Sequence, residues 1–598
     1  LEQAIRARIS TLGADVAVLL EALAVAAGPV TLDILARATQ LGTERVVRAA
    51  TQCRIQRLVR MSGVRRSDTV ELYHGRIAGA LAETLSEDQM RSAHERLARA
   101  LEVERDADAM SLATHWAGAG EKGKAARYAV KAAQEANESL AFDRAASLFR
   151  LSLTLEPGEA EGLEGRRQKL AHALANAGRG EEAGECFLAA VEGASEAVSI
   201  DLRRRAAEQF LLSGHVRRGI ASFKPILRAL GLPYPESLLR SVWSTIVVRT
   251  LLFFRRERFV LRDESMVAPH ERLRVDTAHS MAVGLAVTDT MRGFDYYGRA
   301  LLLALKLGEP GRVAIELAME ASSLVAMSGR KKRKAHRMLE LARGLAERSG
   351  NANARAAVHY SEGMSAYLMG EWQRGQQGLE RAEQLYRNEC AQAPAELRTL
   401  QASIVHCLWE QGDWLALRDR TGRVLKESEE RGDLFTEATI RAGINMQVQC
   451  MLGRAEAGYA GARQVVDHWT RDSFDVQRFM FWVHGAFTRS YMGEATAALE
   501  EFRASLPRAR RSLLFSVQLM RAGAWQMYAL LALRAATEVS GPAQAALLNA
   551  ARREAKKLLR EDAAWANAGG ALVRGCASAI VGDTSDASWW LDDAVRRF

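Results

Sequence analysis

The strings in this 598-residue chain that come nearest to chemistry are glycine-rich and phosphate-directed. Gly118-Ala119-Gly120-Glu121-Lys122-Gly123-Lys124-Ala125 satisfies G-x-x-x-x-G-K, the loop whose backbone N–H groups and lysine cradle nucleotide phosphates. A working loop of that kind follows a buried strand and ends in Ser or Thr to hold magnesium. Here Ser111 to Ala117 has helical periodicity and Ala125 takes the last position, so a glycine-capped turn between helices is expected instead. Gly178-Arg179-Gly180-Glu181-Glu182-Ala183 imitates a dinucleotide fingerprint, yet it follows the helical run Gln168 to Ala177 rather than a strand. No H-E-x-x-H, G-x-S-x-G, H-R-D or D-F-G string occurs, and the 12 histidines lack ligand spacing. Carboxylate clusters such as Glu427, Glu429 and Glu430 sit on amphipathic helices, where they are solvated faces rather than acid and base. No catalytic residue and no metal ligand is assigned, and the chain is expected to be no enzyme and to hold no cofactor of its own.

Two basic clusters bear on partners. Arg330, Lys331, Lys332, Arg333 and Lys334 begin a helix, and Arg45, Arg48, Arg54, Arg57, Arg60, Arg65 and Arg66 decorate the N-terminal region. The interleaved aromatics and high overall charge of nucleic-acid binders are missing. Lys plus Arg number 82 against 72 Asp plus Glu, a net +10 that permits anionic partners without demanding them. A solvated helix start and an interdomain or nucleotide-facing surface are expected, and nucleic acid is disfavoured as a partner.

The length is roughly four times that of a typical domain, so a modular or repeating chain is expected. Hydrophobic residues at 48% and charged residues at 26% are globular values that exclude a largely disordered chain. Ten prolines and 7% aromatics, against an excess of Ala, Leu, Arg and Glu, favour helix over a β-sandwich, a propeller or an enzyme barrel. The six cysteines, Cys53, Cys186, Cys390, Cys407, Cys450 and Cys576, lie far apart with no C-x-x-C pair. Neither a disulfide framework nor a zinc site is expected, and a reducing cytoplasm fits. The most apolar stretch, Val242 to Phe254, is 13 residues long and broken by Arg249. A spanning helix needs about 20, so no membrane segment and no membrane partner is expected. The chain opens at Leu1, directly in an amphipathic helix without a signal-peptide pattern, and is taken as a fragment of a longer protein.

Residues 1–90 have the pattern of a winged helix. Helical runs at Leu1 to Ile9 and Ala14 to Ala26 stop at Gly28 and Pro29, Thr31 can cap a helix from Leu32, and Thr43 with Glu44 opens another ending near Arg57. Leu58 to Met61 and Thr69 to Leu72 alternate as a β-hairpin, to which strand is expected to be confined. From residue 91 onwards only helix-length periodicity appears, broken by glycine-centred turns. Gly370, Gly412, Gly453 and Gly493 are separated by 42, 41 and 40 residues, and the 89 residues to Gly582 hold one further turn near Gly541. Each of Gly370-Glu371-Trp372, Gly412-Asp413-Trp414, Gly493-Glu494 and Gly582-Asp583 joins two apolar helices. The glycine supplies a left-handed cap, the acid faces the next helix's positive end, and a small residue five after the glycine (Gly375, Ala498, Ala587) permits close packing. Gly120, Gly180, Gly214, Gly308 and Gly329 are expected to be less regular turns of the same kind, and Trp372, Trp414 and Trp589 to be packing residues. Leu232-Pro233-Tyr234-Pro235, the apolar-basic segment Val242 to Phe259 and a loop at Arg262 to Pro269 interrupt the array. The expected fold is all-α: a superhelical array of tetratricopeptide-like helix hairpins with a small N-terminal winged helix. Its parts are 1–90 winged helix, 91–230 repeats, 231–300 an atypical repeat or joint, and 301–598 regular repeats of about 40 residues.

Ala113-Thr114-His115-Trp116-Ala117-Gly118-Ala119-Gly120-Glu121, with Lys124-Ala125-Ala126-Arg127-Tyr128-Ala129, resembles a junction of bacterial signal-transducing ATPases of the STAND class. There an AAA-like ATPase is followed by a winged helix and then tetratricopeptide-type repeats. Tyr73-His74-Gly75-Arg76-Ile77 is similar to that family's Tyr-His-Asp-Arg-Ile phrase. Phe142-Asp143-Arg144-Ala145-Ala146, Ala175-Asn176-Ala177-Gly178-Arg179-Gly180 and Arg203 to Gln209 look most like members fused to serine/threonine protein kinases. The resemblance implies a regulatory C-terminal region whose ATP and magnesium belong to modules of the parent protein. It implies for His74 a position sensing bound nucleotide, although Gly75 replaces the expected aspartate, and Ala78 and Gly79 replace a usual charged pair. Read by itself, His74 is equally a satisfied half-buried histidine.

The expected function is that of a non-catalytic sensor and scaffold. It binds a protein or peptide on the concave repeat surface and relays occupancy to upstream ATPase and kinase modules. The alternative is the effector-sensing region of a STAND-class transcription regulator, with DNA contact elsewhere or through the basic winged helix.

Overall fold

The computed structural model describes residues 13–598 apart from 27, 105–106, 140, 157–161, 287–288, 391–394, 432, 470–473 and 513. The helical run expected at Leu1 to Ile9 therefore lies outside the described residues. The chain forms two compact units, Leu1–Leu174 and Ala175–Phe598.

In the first unit, helix Ala14–Val25 leads to strand β1 (Val30–Thr31), helices Leu32–Thr39 and Thr43–Ile55, and strands β2 (Val59–Met61) and β3 (Thr69–Leu72). Thr31 caps its helix as expected, its Oγ1 accepting from the Ile34 N–H at 3.3 Å. The sheet is antiparallel in the order β1-β3-β2, with Val59 opposite Leu72, Met61 opposite Val70, and Val30 on the other side of Val70. This alternation sends Val59 and Val70 into a core with Leu19, Leu20, Leu23, Leu35 and Val46. Strand is thus not confined to the hairpin: β1 adds a third member, and two residues are too few to show a period in sequence. Helix Glu87–Glu102 adds Leu97 to the same core, and its capping box at Ser86 and Gln89 fixes where it starts.

From there the architecture is all-α, a superhelical array of tetratricopeptide-like hairpins. The expected turn glycines Gly370, Gly412, Gly453, Gly493 and Gly582 all have φ between +71° and +90°. The same pair of bonds recurs at each: at Gly370 the glycine N–H donates to the Tyr367 carbonyl (3.0 Å) and the Glu371 N–H to the Ala366 carbonyl (2.9 Å). These bonds satisfy carbonyls that the helix end leaves orphaned. Of the acids that follow, only the shorter ones cap with their side chains: Asp413 accepts from the Ala416 N–H and Asp583 from the Asp586 N–H, both at 3.1 Å. Glu371 and Glu494 instead meet Arg374 and Arg489. The small residues do sit at contacts: a Cβ on Gly375 would stand 3.0 Å from the Tyr367 nitrogen.

Some details differ from expectation. The turn before helix Gly180–Ala189 is made by Gly178 (φ +83°), while Gly180 is already helical. Gly329 lies in the short 3-10 turn Gly329–Lys331 without a left-handed φ. One hairpin arm is broken into Leu434–Ala442 and Asn445–Met451 at Gly443. Trp372 is half-buried, but Trp414 and Trp589 are 45% and 56% exposed, each meeting one neighbouring ring edge-on, Trp409 or Trp590.

The second unit winds far enough to meet itself. The turn at Gly178 approaches Asp433 so closely that an added Cβ would stand 2.7 Å from the Asp433 Cβ, and Gly214 abuts the ring of Trp469. Gly329 donates its N–H to Gln518 Oε1 at 3.2 Å, and Gly370 lies against Trp565. Each turn thus packs on a hairpin about five further along the array, which draws the inner faces of the last hairpins together.

Candidate ligand-binding groove

A cavity of about 180 Å³ lies on that inner wall. Every residue lining it comes from the first arm of one of six successive hairpins: Tyr367; His406, Trp409 and Glu410; Gln447; Phe479, Met480, Val483, His484 and Phe487; Leu519, Met520, Gly523, Gln526, Met527 and Leu530; and Trp565. On helices Val476–Tyr491 and Gln518–Ala536 these residues follow a spacing of three and four, one stripe along each arm. Those arms carry apolar residues all round, more than stacking alone uses. That excess is the sequence signal of a lined wall.

The wall is apolar with a few aimed polar groups. Tyr367, Trp372, His406 and Trp565 form an aromatic cluster with ring centroids 5.5 to 6.1 Å apart. The Gln447 carboxamide lies 3.1–3.2 Å from Nδ1 of His484. Nδ1 of His406 and Nε1 of Trp565 are buried with no hydrogen-bond partner among the described residues. Burial holds His406 down at about 4, and burial together with the charge of His406 holds His484 at about 3, so both imidazoles are neutral at physiological pH. Burial pushes the Glu410 carboxyl up to about 7, although 31% of its side chain opens onto the groove. The wall therefore carries almost no fixed charge.

A polar spot lies ten residues back along the same arm, about 15 Å away at helical rise. His279 stands between Glu316 (Nδ1 to Oε1, 2.8 Å) and Glu396 (Nε2 to Oε1, 3.5 Å). Burial alone would lower His279, but the two carboxylates outweigh it and raise it well above its ordinary value. A second cavity of about 230 Å³ is lined partly by the second arms Ala455–Trp469 and Ala495–Arg511, off the inner wall. Of the arginines there, Arg489 already pairs with Glu494 and Glu501.

The residues singled out in the sequence lie elsewhere. Gly118 to Ala125 forms the turn between helices Ala109–Gly118 and Lys122–Glu138, with Gly120 at φ +83°. Ala125, which stands in place of the magnesium-binding hydroxyl, is fully buried in the helix contact. His74 is exposed and caps helix Gly75–Ala82, its Nδ1 accepting from the Arg76 N–H at 3.2 Å. In the N-terminal basic cluster Arg45 binds Asp15 (Nε to Oδ2, 2.9 Å) and Arg60 lies 4.5 Å from the centre of the Tyr73 ring. The 330–334 cluster opens helix Lys332–Ser349. No group of His, Cys, Asp or Glu among the described residues could hold a metal ion.

No protein-family model matches the chain, and no curated protein does. Among solved structures it is similar to a signal-transduction ATPase with numerous domains carrying a tetratricopeptide repeat sensor, from Pyrococcus horikoshii. The identity is 9% and the TM-score 0.32, over 78% of this chain and 64% of that one, so the chain spans less than two thirds of that protein. It is also similar to a Rap protein complexed with competence and sporulation factor, at 12% identity and TM-score 0.40, over 65% and 98% of the two chains. A human IFIT1 dimer follows at 11% and 0.28, over 86% and 95%.

Proposed function

We propose that the chain is a non-catalytic sensor and scaffold that captures a protein or peptide along its inner wall, seating one bulky apolar side chain in the Tyr367–His406–Met527–Trp565 cavity. The observation that carries this reading is the origin of the cavity: six first arms contribute its walls and leave two buried polar atoms, His406 Nδ1 and Trp565 Nε1, unanswered. Its volume is below the ~300 Å³ at which small-molecule pockets begin, so it suits a side chain better than a cofactor. Leaving a buried polar atom unpaired costs about 1–3 kcal/mol, and a peptide backbone offers both a donor and an acceptor. The paired charges at His279, some 15 Å along the groove, suit an extended ligand.

In this reading residues 1–90 are a winged-helix module, a reading supported by the order helix, strand, helix, helix, strand, strand. Residues 91–230 and 301–598 are the repeats, and 231–300 their joint. Occupancy of the groove is relayed to ATPase and serine/threonine kinase modules upstream in a longer cytoplasmic protein, where ATP and magnesium act. His74 would meet nucleotide only through Nε2, since Nδ1 is spent on its helix.

The test is an arrayed peptide library probed with the full chain and with Gly523→Leu. Gly523 lines the cavity, and a Cβ there meets nothing within 4 Å. Peptides with Trp, Phe or Leu anchors should bind the parent chain and not the variant. Equal binding by both would remove the cavity from the reading.

A further inference from the structure

Helix Leu238–Arg255 sits in the fold with its polarity reversed. Ser241 is buried, Ser244 donates to the buried Asp295 Oδ1 at 2.6 Å, and Arg249 pairs with the buried Glu320 and donates to the Phe294 carbonyl at 3.0 Å. These three polar side chains thus point into the protein, alongside Val248 and Leu252. Leu239, Trp243, Ile246, Leu251, Phe253 and Phe254 point out, each 52% to 83% exposed. One exposed apolar residue is ordinary, but six on one helix mark a surface that something covers.

Charge decides what that is. The helix holds no acidic residue, and exposed arginines stand at both ends, Arg240 at one and Arg255, Arg256 and Arg258 at the other. Of the acids that follow, Glu257 stands among these arginines and is outnumbered by them, while Asp263 accepts from the Ser265 N–H at 3.0 Å and Glu264 meets Arg272 at 3.1 Å. Two-fold pairing with a second copy would set one arginine-flanked stripe on another, with only Glu257 from each copy to answer Arg240, Arg255, Arg256 and Arg258. No helix among the described residues is long and apolar enough to cross a membrane; an interfacial helix needs only one apolar face with cations at its edge. We propose that this face is a peripheral docking surface for an anionic phospholipid bilayer, with the six apolar side chains in the headgroup–acyl boundary and the arginines at phosphate level. The absence of a spanning segment gave the expectation of no membrane partner; the orientation of the helix points the other way.

The experiment is co-sedimentation of the full chain with vesicles of phosphatidylcholine alone and of phosphatidylcholine mixed with phosphatidylglycerol. Two triple variants accompany it, Trp243→Ser/Phe253→Ser/Phe254→Ser and Arg240→Gln/Arg256→Gln/Arg258→Gln. All six positions are exposed, so circular dichroism should be unchanged. The parent chain should sediment with the mixed vesicles and not the neutral ones. The serine variant should lose that binding, and the glutamine variant should weaken it about fivefold for each arginine removed. Failure to bind mixed vesicles overturns the proposal, and self-association abolished by the serine variant would assign the face to a second copy. Binding that ignores the serine substitutions overturns it as well. None of these results depends on the inner groove, so the two readings fail separately.

Discussion

Lys124 places its ammonium 3.8 Å from the centre of the Trp116 ring, across the turn that joins their two helices. The lysine of the apparent phosphate loop is thus a brace on a fully buried tryptophan, which donates from Nε1 to Glu102 at 3.0 Å. Lys124→Ala should lower stability by about 0.5–1 kcal/mol, the worth of a partly exposed cation–π contact, and Lys124→Arg should recover most of it. ATP with magnesium should not shift the melting temperature of either variant or of the parent. ATP turnover by the purified chain that vanished in Lys124→Ala would refute the non-catalytic reading.

Two turn glycines separate backbone strain from packing. Gly412 has φ +71° and nothing within 4 Å of an added Cβ, so Gly412→Ala should cost about 1 kcal/mol for the left-handed conformation alone. Gly412→Val should cost that or more, because a β-branched side chain tolerates the region least. Gly370 shares the conformation at φ +81°, but its Cβ would stand 2.3 Å from Cδ1 of Trp565. Gly370→Ala should therefore be the costlier alanine in urea melts, and should also disturb peptide capture by displacing a groove residue.

That contrast shows where the sequence is legible. Glycine spacing and the small residue five positions later are local, so turns, arms and their pairing can be read along the chain. What brings Gly370 to Trp565, or Gly178 to Asp433, is the accumulated rotation of several hairpins, which no local pattern encodes. The apolar excess of the first arms hints at a lined wall, but the cavity's place is hidden for the same reason: its wall is one stripe from each of six arms. The apolar-basic segment after Pro235 was plain in composition, yet its orientation depends on Asp295 and Glu320, 51 and 71 residues beyond their partners.

Gly523 offers a substitution whose effects on stability and binding should part. It sits inside helix Gln518–Ala536 with an ordinary helical backbone and open space toward the cavity. Gly523→Ala should stabilise the chain by about 1 kcal/mol through helix propensity alone. Gly523→Leu should be at least as stable as the parent while occupying the space meant for a ligand. A melting temperature that rises while peptide binding is lost would fit a seat for a side chain; a leucine variant that unfolds would mean the cavity is needed by the fold itself.

The titrating groups of the groove should give it a signed pH dependence. His406 and His484 take up protons near 6.5 in the unfolded chain but only below about 4 and about 3 when folded. Between those limits the unfolded state holds more protons, so their contribution is lost as pH falls below 6.5. Glu410 acts in the opposite sense: its folded carboxyl keeps its proton up to about 7 against an ordinary 4.5, so its contribution is full below 4.5 and lost as pH rises through 7. From pH 6.5 to 4.5 two histidines oppose one carboxyl, and the groove should lose on the order of 1 kcal/mol per pH unit on acidification. His406→Phe/His484→Phe leaves only the carboxyl of these three groups. The readout is the difference between urea-melt stabilities of parent and variant at each pH, in which Glu410 and titrations elsewhere in the chain, such as that of His115, cancel, so that it should fall on acidification by on the order of 2 kcal/mol per pH unit for the two imidazoles alone. A difference that stays flat from pH 6.5 to 4.5 would mean the two imidazoles are not held neutral by the groove.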